Sequence, residues 1–209
     1  MTPMTSIDSF DVSILEYVMN NIRKEWLDPI VIFITHLGKA GIAWIVLILI
    51  LLAIKKTRRV GIACAVALVL NVILCNFIIK PLVARPRPYD LYEQIICIVK
   101  PQWDYSFPSG HTAASFSVSS VLPYMKMKKR FSIPALVLAT MIALSRIYVC
   151  VHYPTDVICG AILGAMAGFA GFMLYTRVIE KKAPKKIMDF VFNFPGIEIK
   201  DKAEEKKAS

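Results

Sequence analysis

No two cysteines in this chain stand at a C-x-x-C or other paired spacing: Cys64, Cys75, Cys97, Cys150 and Cys159 are scattered, four of them in or beside apolar runs. That pattern excludes a disulfide framework or zinc knuckle and leaves the thiols as small core residues. No set of histidines and carboxylates has the spacing of a metal cage, so no metal is expected. There is no internal repeat. The first 25 residues carry scattered Asp, Glu and Asn and lack both the apolar stretch and the small-residue cleavage site of a signal peptide. Nothing is therefore expected to be removed from this end. The signature of a nucleic-acid reader is also missing. Lys and Arg exceed Asp and Glu by 25 to 15, for a net charge of +10, but the basic residues fall between hydrophobic segments. A nucleic-acid partner would require them on one face with stacking aromatics beside them.

What the chain has is apolar sequence. Of its 209 residues, 56% are hydrophobic, the mean hydropathy is +0.57, and the charges are segregated into clusters. This points to an all-α, polytopic membrane bundle with the bilayer as its solvent. Six membrane helices are expected: Leu27 to Gly38, Gly41 to Ile54, Val60 to Ile79, His111 to Met125, Phe131 to Val149 and Thr155 to Thr176. Residues 1–26 read as an interfacial segment, with Ile14, Leu15, Val18 and Ile22 at helical spacing. Residues 27–179 form the membrane domain and 180–209 a charged, Lys- and Glu-rich tail. Trp26, Trp44 and Trp103 are expected interface anchors.

Orientation follows from the excess of Lys and Arg in cytoplasmic loops. Three clusters fall on one side of the expected helices: Lys55, Lys56, Arg58 and Arg59; Lys126, Lys128, Lys129 and Arg130; and Lys181, Lys182, Lys185 and Lys186. That side and the tail are assigned to the cytoplasm. The loops Lys80 to Gly110 and Cys150 to Pro154 then face outward. The outward loop nevertheless holds Lys80, Arg85, Arg87 and Lys100, against the charge rule, and a phosphate site explains them.

Three groups of reactive residues stand where helices meet water. The last holds Ser145-Arg146, then His152 and Asp156 four residues apart, with Pro154 at a favoured first-turn position. A carboxylate there can reach back to one imidazole nitrogen and leave the other free as a nucleophile. Taken alone, the pair also fits a helix-dipole Asp beside an interfacial His. Pro108-Ser109-Gly110-His111 opens a helix: Ser109 can cap it, Gly110 allows close approach of an anion, and His111 can donate and accept a proton. A plain capped helix with a surface histidine is the other reading. Arg146 is an ionisable group in an otherwise uncharged helix, costly unless paired or functional. Lys80 fits either snorkelling or phosphate binding. Arg85 and Arg87, stiffened by Pro86 and Pro88, present guanidinium groups that can grip two phosphate oxygens. His36, in Ile34-Thr-His-Leu-Gly, has no partner in sequence and reads as structural.

The three groups together resemble the type 2 phosphatidic acid phosphatase superfamily, whose signature K-x6-R-P, P-S-G-H and S-R-x5-H-x3-D stands here as Lys80 to Pro88, Pro108 to His111 and Ser145 to Asp156. The last element alone would arise by chance roughly once in a thousand chains of this length. The resemblance implies a phosphohistidine on His152, oriented by Asp156, with His111 protonating the leaving group and then activating water. It implies phosphate binding by Lys80, Arg87, Ser109, Gly110 and Arg146, and no metal or cofactor. Arg85 is not a motif position and is left as a supporting or headgroup contact. The expected partner is a lipid phosphate, with undecaprenyl diphosphate first, phosphatidylglycerophosphate or phosphatidic acid next. Phosphotransfer from the same phosphohistidine is the alternative reaction, and a membrane bundle without enzymatic activity the alternative class.

Overall fold

The computed structural model describes residues 6–182 and 195–197, and among them it is helical with one isolated bridge, Ile54 to Ile197. The principal helices are α1 (Ser6–Tyr17), α2 (Asp28–Leu37), α3 (Ile42–Ala53), α4 (Arg58–Val72), α5 (Gly110–Tyr124), α6 (Lys129–Tyr148) and α7 (Pro154–Leu174). Three stretches are long and apolar enough to cross a bilayer: Lys55–Leu91, Lys129–Tyr148 and Pro154–Ile179. The chain departs from the expected helices at its first two. The first two expected helices, α2 and α3, meet at a bend of 49°, far from the reversal of a hairpin, and together make at most one broken span. Helix α5 has 15 residues, about 22 Å at 1.5 Å per residue, short of the roughly 30 Å apolar layer. It runs between the two ends of the bundle as its serine- and alanine-rich centre, shielded from lipid, with Ala113, Ser117, Val118 and Val121 fully buried.

Small residues explain how α5 comes to lie at the centre. A Cβ on Gly164 of α7 would sit 2.3 Å from the Ala113 carbonyl oxygen, and one on Gly168 would sit 2.0 Å from Ser120 Oγ. These glycines, four residues apart, make one face along which the two backbones touch, the usual means of helix association where lipid removes the hydrophobic drive. Bulky apolar side chains point the other way: Phe33, Leu49, Phe77, Ile158 and Met166 are all exposed. An apolar belt of that extent is stable in lipid and not in water.

Polarity also separates the two ends. Helices α5 and α7 run parallel, since Gly160 lies against Ser109 at one end and Tyr124 stacks with Phe169 and Phe172 toward the other. Arg59 pairs with Glu180 at 3.0 Å, so the first basic cluster and the start of the third lie together, and the turn after Tyr124 brings the second to the same end. Lys185 and Lys186 lie outside the described residues, as does most of the expected tail. Helix α1 begins at Ser6, eight residues before the expected amphipathic stretch. It buries Val12 and Leu15 against Ile95, Cys150 and Tyr153, and Val18 just after it packs on Tyr148, so it is a packed part of the opposite end. Trp44 is a correction: it is buried in the core, where its Nε1 donates to Ser115 Oγ at 2.9 Å. Trp26 and Trp103 are exposed. The five cysteines are free, with Cys64, Cys75 and Cys150 buried and Cys97 and Cys159 partly so.

Candidate active site

Cys150 adopts φ of 57°, and the turn it makes drops His152 into the bundle ahead of α7, where its side chain is 1% exposed. Its Nδ1 faces Asp156 Oδ2 at 3.5 Å and Ser106 Oγ at 3.4 Å. The same Asp156 oxygen accepts the Ser106 hydroxyl and the Tyr153 N–H at 3.0 Å. On the other side of the ring, Nε2 lies 3.4 Å from Arg87 Nη1. A carboxylate beside Nδ1 favours the proton there, which leaves the Nε2 lone pair toward the cations. Burial holds the His152 imidazole well below its ordinary pKa, and the neighbouring Arg87, Arg146 and Lys80 push it the same way. It is neutral at physiological pH.

The cations expected to bind phosphate are already engaged. Lys80 Nζ is paired with Asp104 Oδ2. Arg87 donates from Nη2 to Asp104 Oδ1 at 2.6 Å, from Nε to the Asp104 carbonyl at 2.8 Å and from Nη1 to the Val151 carbonyl at 2.7 Å. Burial would raise the Asp104 carboxyl, but the Lys80 and Arg87 contacts outweigh it and hold the pKa at about 2. Arg146, 3% exposed, is different. Its Nη1 donates to Thr35 Oγ1 at 2.6 Å, while Nε and Nη2 have no partner among the described residues. Two buried guanidinium nitrogens left open cost about 1–3 kcal/mol each, and an anion is what would satisfy them.

His111 stands between two cavities. One, of about 270 Å³, is lined by Thr35, His36, Lys39, Lys100, Gln102 and Arg146 among others, and no carboxylate lines it. The other, of about 260 Å³, has Lys80, Asp104, Asn71, Asn76 and Gly110 with apolar neighbours. Gly38 makes room for His111: a Cβ there would lie 3.0 Å from His111 Cδ2 and 2.7 Å from Ile142 Cγ2.

All eight site residues expected from sequence fall at this one end, with two adjustments. Ser109 occupies the cap position of α5, yet its hydroxyl pairs with Thr112 Oγ1 at 2.9 Å instead of turning outward. Its N–H donates to the Asp156 carbonyl at 3.1 Å, so it clamps α5 to α7. His36, read as structural, is exposed on the wall of the basic cavity. Sequence reasoning also missed Asp104, Ser106 and Gly38, and it left Arg85 open. Asp104 and Ser106 lie just before the P-S-G-H element, and that nearness was the available signal. Among the described residues no group of three or more His, Cys, Asp or Glu is placed to hold a metal ion.

Residues 60–180 match the model of the PAP2 superfamily. The chain belongs to the PAP2 superfamily. It is 30% identical over 173 residues to an undecaprenyl-diphosphatase of Sulfolobus acidocaldarius, covering 83% of this chain and 82% of the relative. It is 30% identical over 158 residues to phosphatidylglycerophosphatase B of Bacillus subtilis, covering 71% and 75%. Among solved structures, a transmembrane PAP2-type phosphatidylglycerolphosphate phosphatase from Bacillus subtilis superposes with a TM-score of 0.70 at 28% identity, over 88% of this chain and 90% of that one. Aquifex aeolicus LpxE superposes with a TM-score of 0.69 at 26% identity, over 80% and 98%. This PAP2 chain is thus a membrane lipid phosphatase, a phosphoric monoester hydrolase.

Proposed function

We propose that this phosphatase hydrolyses a prenyl diphosphate of the undecaprenyl type to the monophosphate, without metal, through a phosphohistidine on His152. In the first step Nε2 attacks the terminal phosphorus and a P–N bond forms. The bond from that phosphorus to the bridging oxygen breaks, and His111 protonates the departing lipid phosphate. In the second step His111 takes a proton from water, whose oxygen attacks the phosphorus. The P–N bond breaks and inorganic phosphate leaves. Asp156 stabilises the charge that His152 acquires, as a carboxylate behind an imidazole does in other nucleophilic sites. Lys80, Arg87 and Arg146 hold the phosphate oxygens, with Gly110 admitting them close to Lys80, and Ser109 keeps the start of α5 in register. The end bearing the site faces the extracytoplasmic side, because the three basic clusters gather at the other.

The observation that carries the diphosphate reading is the cavity of about 270 Å³ beside His111, whose wall bears His36, Lys39, Lys100 and Arg146. Phosphatidic acid places one phosphate against Lys80, Arg87 and Arg146 and leaves this second basic wall facing an uncharged alcohol. A diphosphate places its leaving phosphate there, where cations stabilise the charge that develops. The test is phosphate release in EDTA from prenyl diphosphate, phosphatidylglycerophosphate and phosphatidic acid in detergent micelles, with the enzyme-bound phosphate trapped as an acid-labile, base-stable label. The expected result is label on His152 and a kcat/KM at least tenfold higher for the diphosphate. Turnover only with added metal would overturn the mechanism. Preference for phosphatidylglycerophosphate, the substrate in the name of the Bacillus subtilis relative, would overturn the substrate.

A further inference from the structure

Asp11 lies in α1, outside residues 60–180 that match the family and outside the three sequence elements of the site. Its side chain is nevertheless fully buried. Its Oδ1 accepts the Thr155 N–H at 3.0 Å. Its Oδ2 accepts the Thr155 hydroxyl and pairs with Arg85 Nη2 at 2.8 Å. The other arm of the same guanidinium, Nη1, donates to Asp156 Oδ1 at 2.6 Å and to Thr155 Oγ1 at 2.8 Å, and the group lies 3.8 Å over the Tyr153 ring. Arg85 therefore holds one Asp156 oxygen while the other faces His152.

We infer that Asp11 is a positioning residue for the reaction, acting through Arg85 to set both the orientation and the charge of Asp156. This role rests on His152 being the nucleophile. A guanidinium is a rigid planar fork whose two arms must be satisfied together when buried. Shared between Asp11 and Asp156, it holds the second carboxylate in place while taking up only part of its negative charge. With Asp11 neutral, the attraction of Arg85 falls more heavily on Asp156. The carboxylate then turns toward Arg85, away from a His152 contact that is already 3.5 Å, and it stabilises the developing imidazolium less. Helix α1 thereby becomes part of the machinery rather than a surface anchor.

The experiment uses full-length Asp11→Asn and Arg85→Gln, singly and together, on prenyl diphosphate in detergent micelles, with phosphohistidine formation followed by quench. Asparagine keeps the shape and the acceptor for Thr155 N–H and removes the charge. The expected result is a ten- to hundredfold fall in kcat and in the rate of phosphohistidine formation for Asp11→Asn, with KM within twofold. The double variant should be no slower than Arg85→Gln alone by more than twofold, because one acts through the other. Unchanged kcat with a lowered Tm, or losses that multiply in the double variant, would overturn it. Asp11→Ser supports the same comparison if the asparagine variant does not fold. Absence of label on wild-type His152 is a separate result and sinks the nucleophile assignment itself.

Discussion

The two imidazoles of this site sit in opposite surroundings. His152 is enclosed: Asp156 and Ser106 stand at one nitrogen and Arg87 at the other, and Asp156 is itself held by Ser106, Tyr153 and Arg85. Around His111 lie two cavities, and on the wall of one Arg146 keeps two nitrogens without partners. The first region has its interactions in place before substrate arrives, as a group that must attack along one line requires. The second stays incomplete, so that an anion can complete it. Interactions made only with the reacting phosphate favour turnover over mere stability.

The largest effects should come from separating these regions by their stability costs. Asp156→Asn breaks the satisfied side and is expected to lower kcat by about 10²–10⁴, the range for displacing an orienting carboxylate, and to lower Tm as well. Arg146→Met removes the unsatisfied groups and should cost about 10²–10³ in kcat/KM, comparable to losing a donor to a reacting anion, while leaving Tm unchanged or raised. Thermal unfolding in detergent beside kinetics checks both. A Tm that falls equally in the two variants would erase the distinction drawn here.

Gly38→Ala tests whether His111 needs the room it has. The added methyl would press on His111 Cδ2 and Ile142 Cγ2. Overpacking of this kind costs about 1–3 kcal/mol. It should also displace the imidazole from the leaving oxygen, for a fall in kcat of roughly tenfold, since misplacement by about 1 Å is enough for larger losses. The paired measurement is formation against breakdown of phosphohistidine, and both should slow because His111 acts in both steps. Slowing of neither, with Tm lowered, would make Gly38 a packing residue only.

How far the sequence revealed these regions depends on spacing. His152 and Asp156 are four residues apart across a helix start, and Ser109, Gly110 and His111 are consecutive, so local geometry alone suggested their arrangement. Lys80, Arg87 and Arg146 announced themselves as charges at the ends of apolar runs. The α2–α3 bend was hidden because two short apolar segments around Gly38 and Gly41 read as two helices whatever the angle between them. The glycines at 160, 164 and 168 of α7 were in view, but what faces them is a tertiary fact. Asp11 could not be read as a site residue, because nothing near it in sequence links it to Arg85 or Thr155. His36 looked isolated for the same reason, as Lys100, Gln102, His111 and Arg146 of the same cavity are all distant from it in sequence.

Asp104 offers the smallest effect and the finest test of the comparison, because it makes the Lys80 and Arg87 end look complete when no substrate is present. Its carboxylate pairs with both cations, the same partners proposed for a phosphate oxygen, so substrate must displace it. Asp104→Asn should lower KM three- to tenfold and strengthen inhibition by inorganic phosphate, with kcat nearly unchanged. The pH dependence has a definite sign. The folded-state pKa of about 2 is below the ordinary carboxylate value near 3.9, so the stabilisation is complete above pH of about 4 and lost as pH falls toward 2. His152 works in a different window: its folded pKa is depressed, so neutral enzyme persists below the ordinary value near 6.5, and the fold resists protonation there at a cost in stability. The acidic limb of kcat/KM should accordingly lie below pH of about 6.5 and move lower still in Asp104→Asn, because the Asp104 carboxylate partly offsets the depression. A limb that moves up with that substitution would overturn this account, since loss of the carboxylate leaves burial and the Arg87, Arg146 and Lys80 charges unopposed.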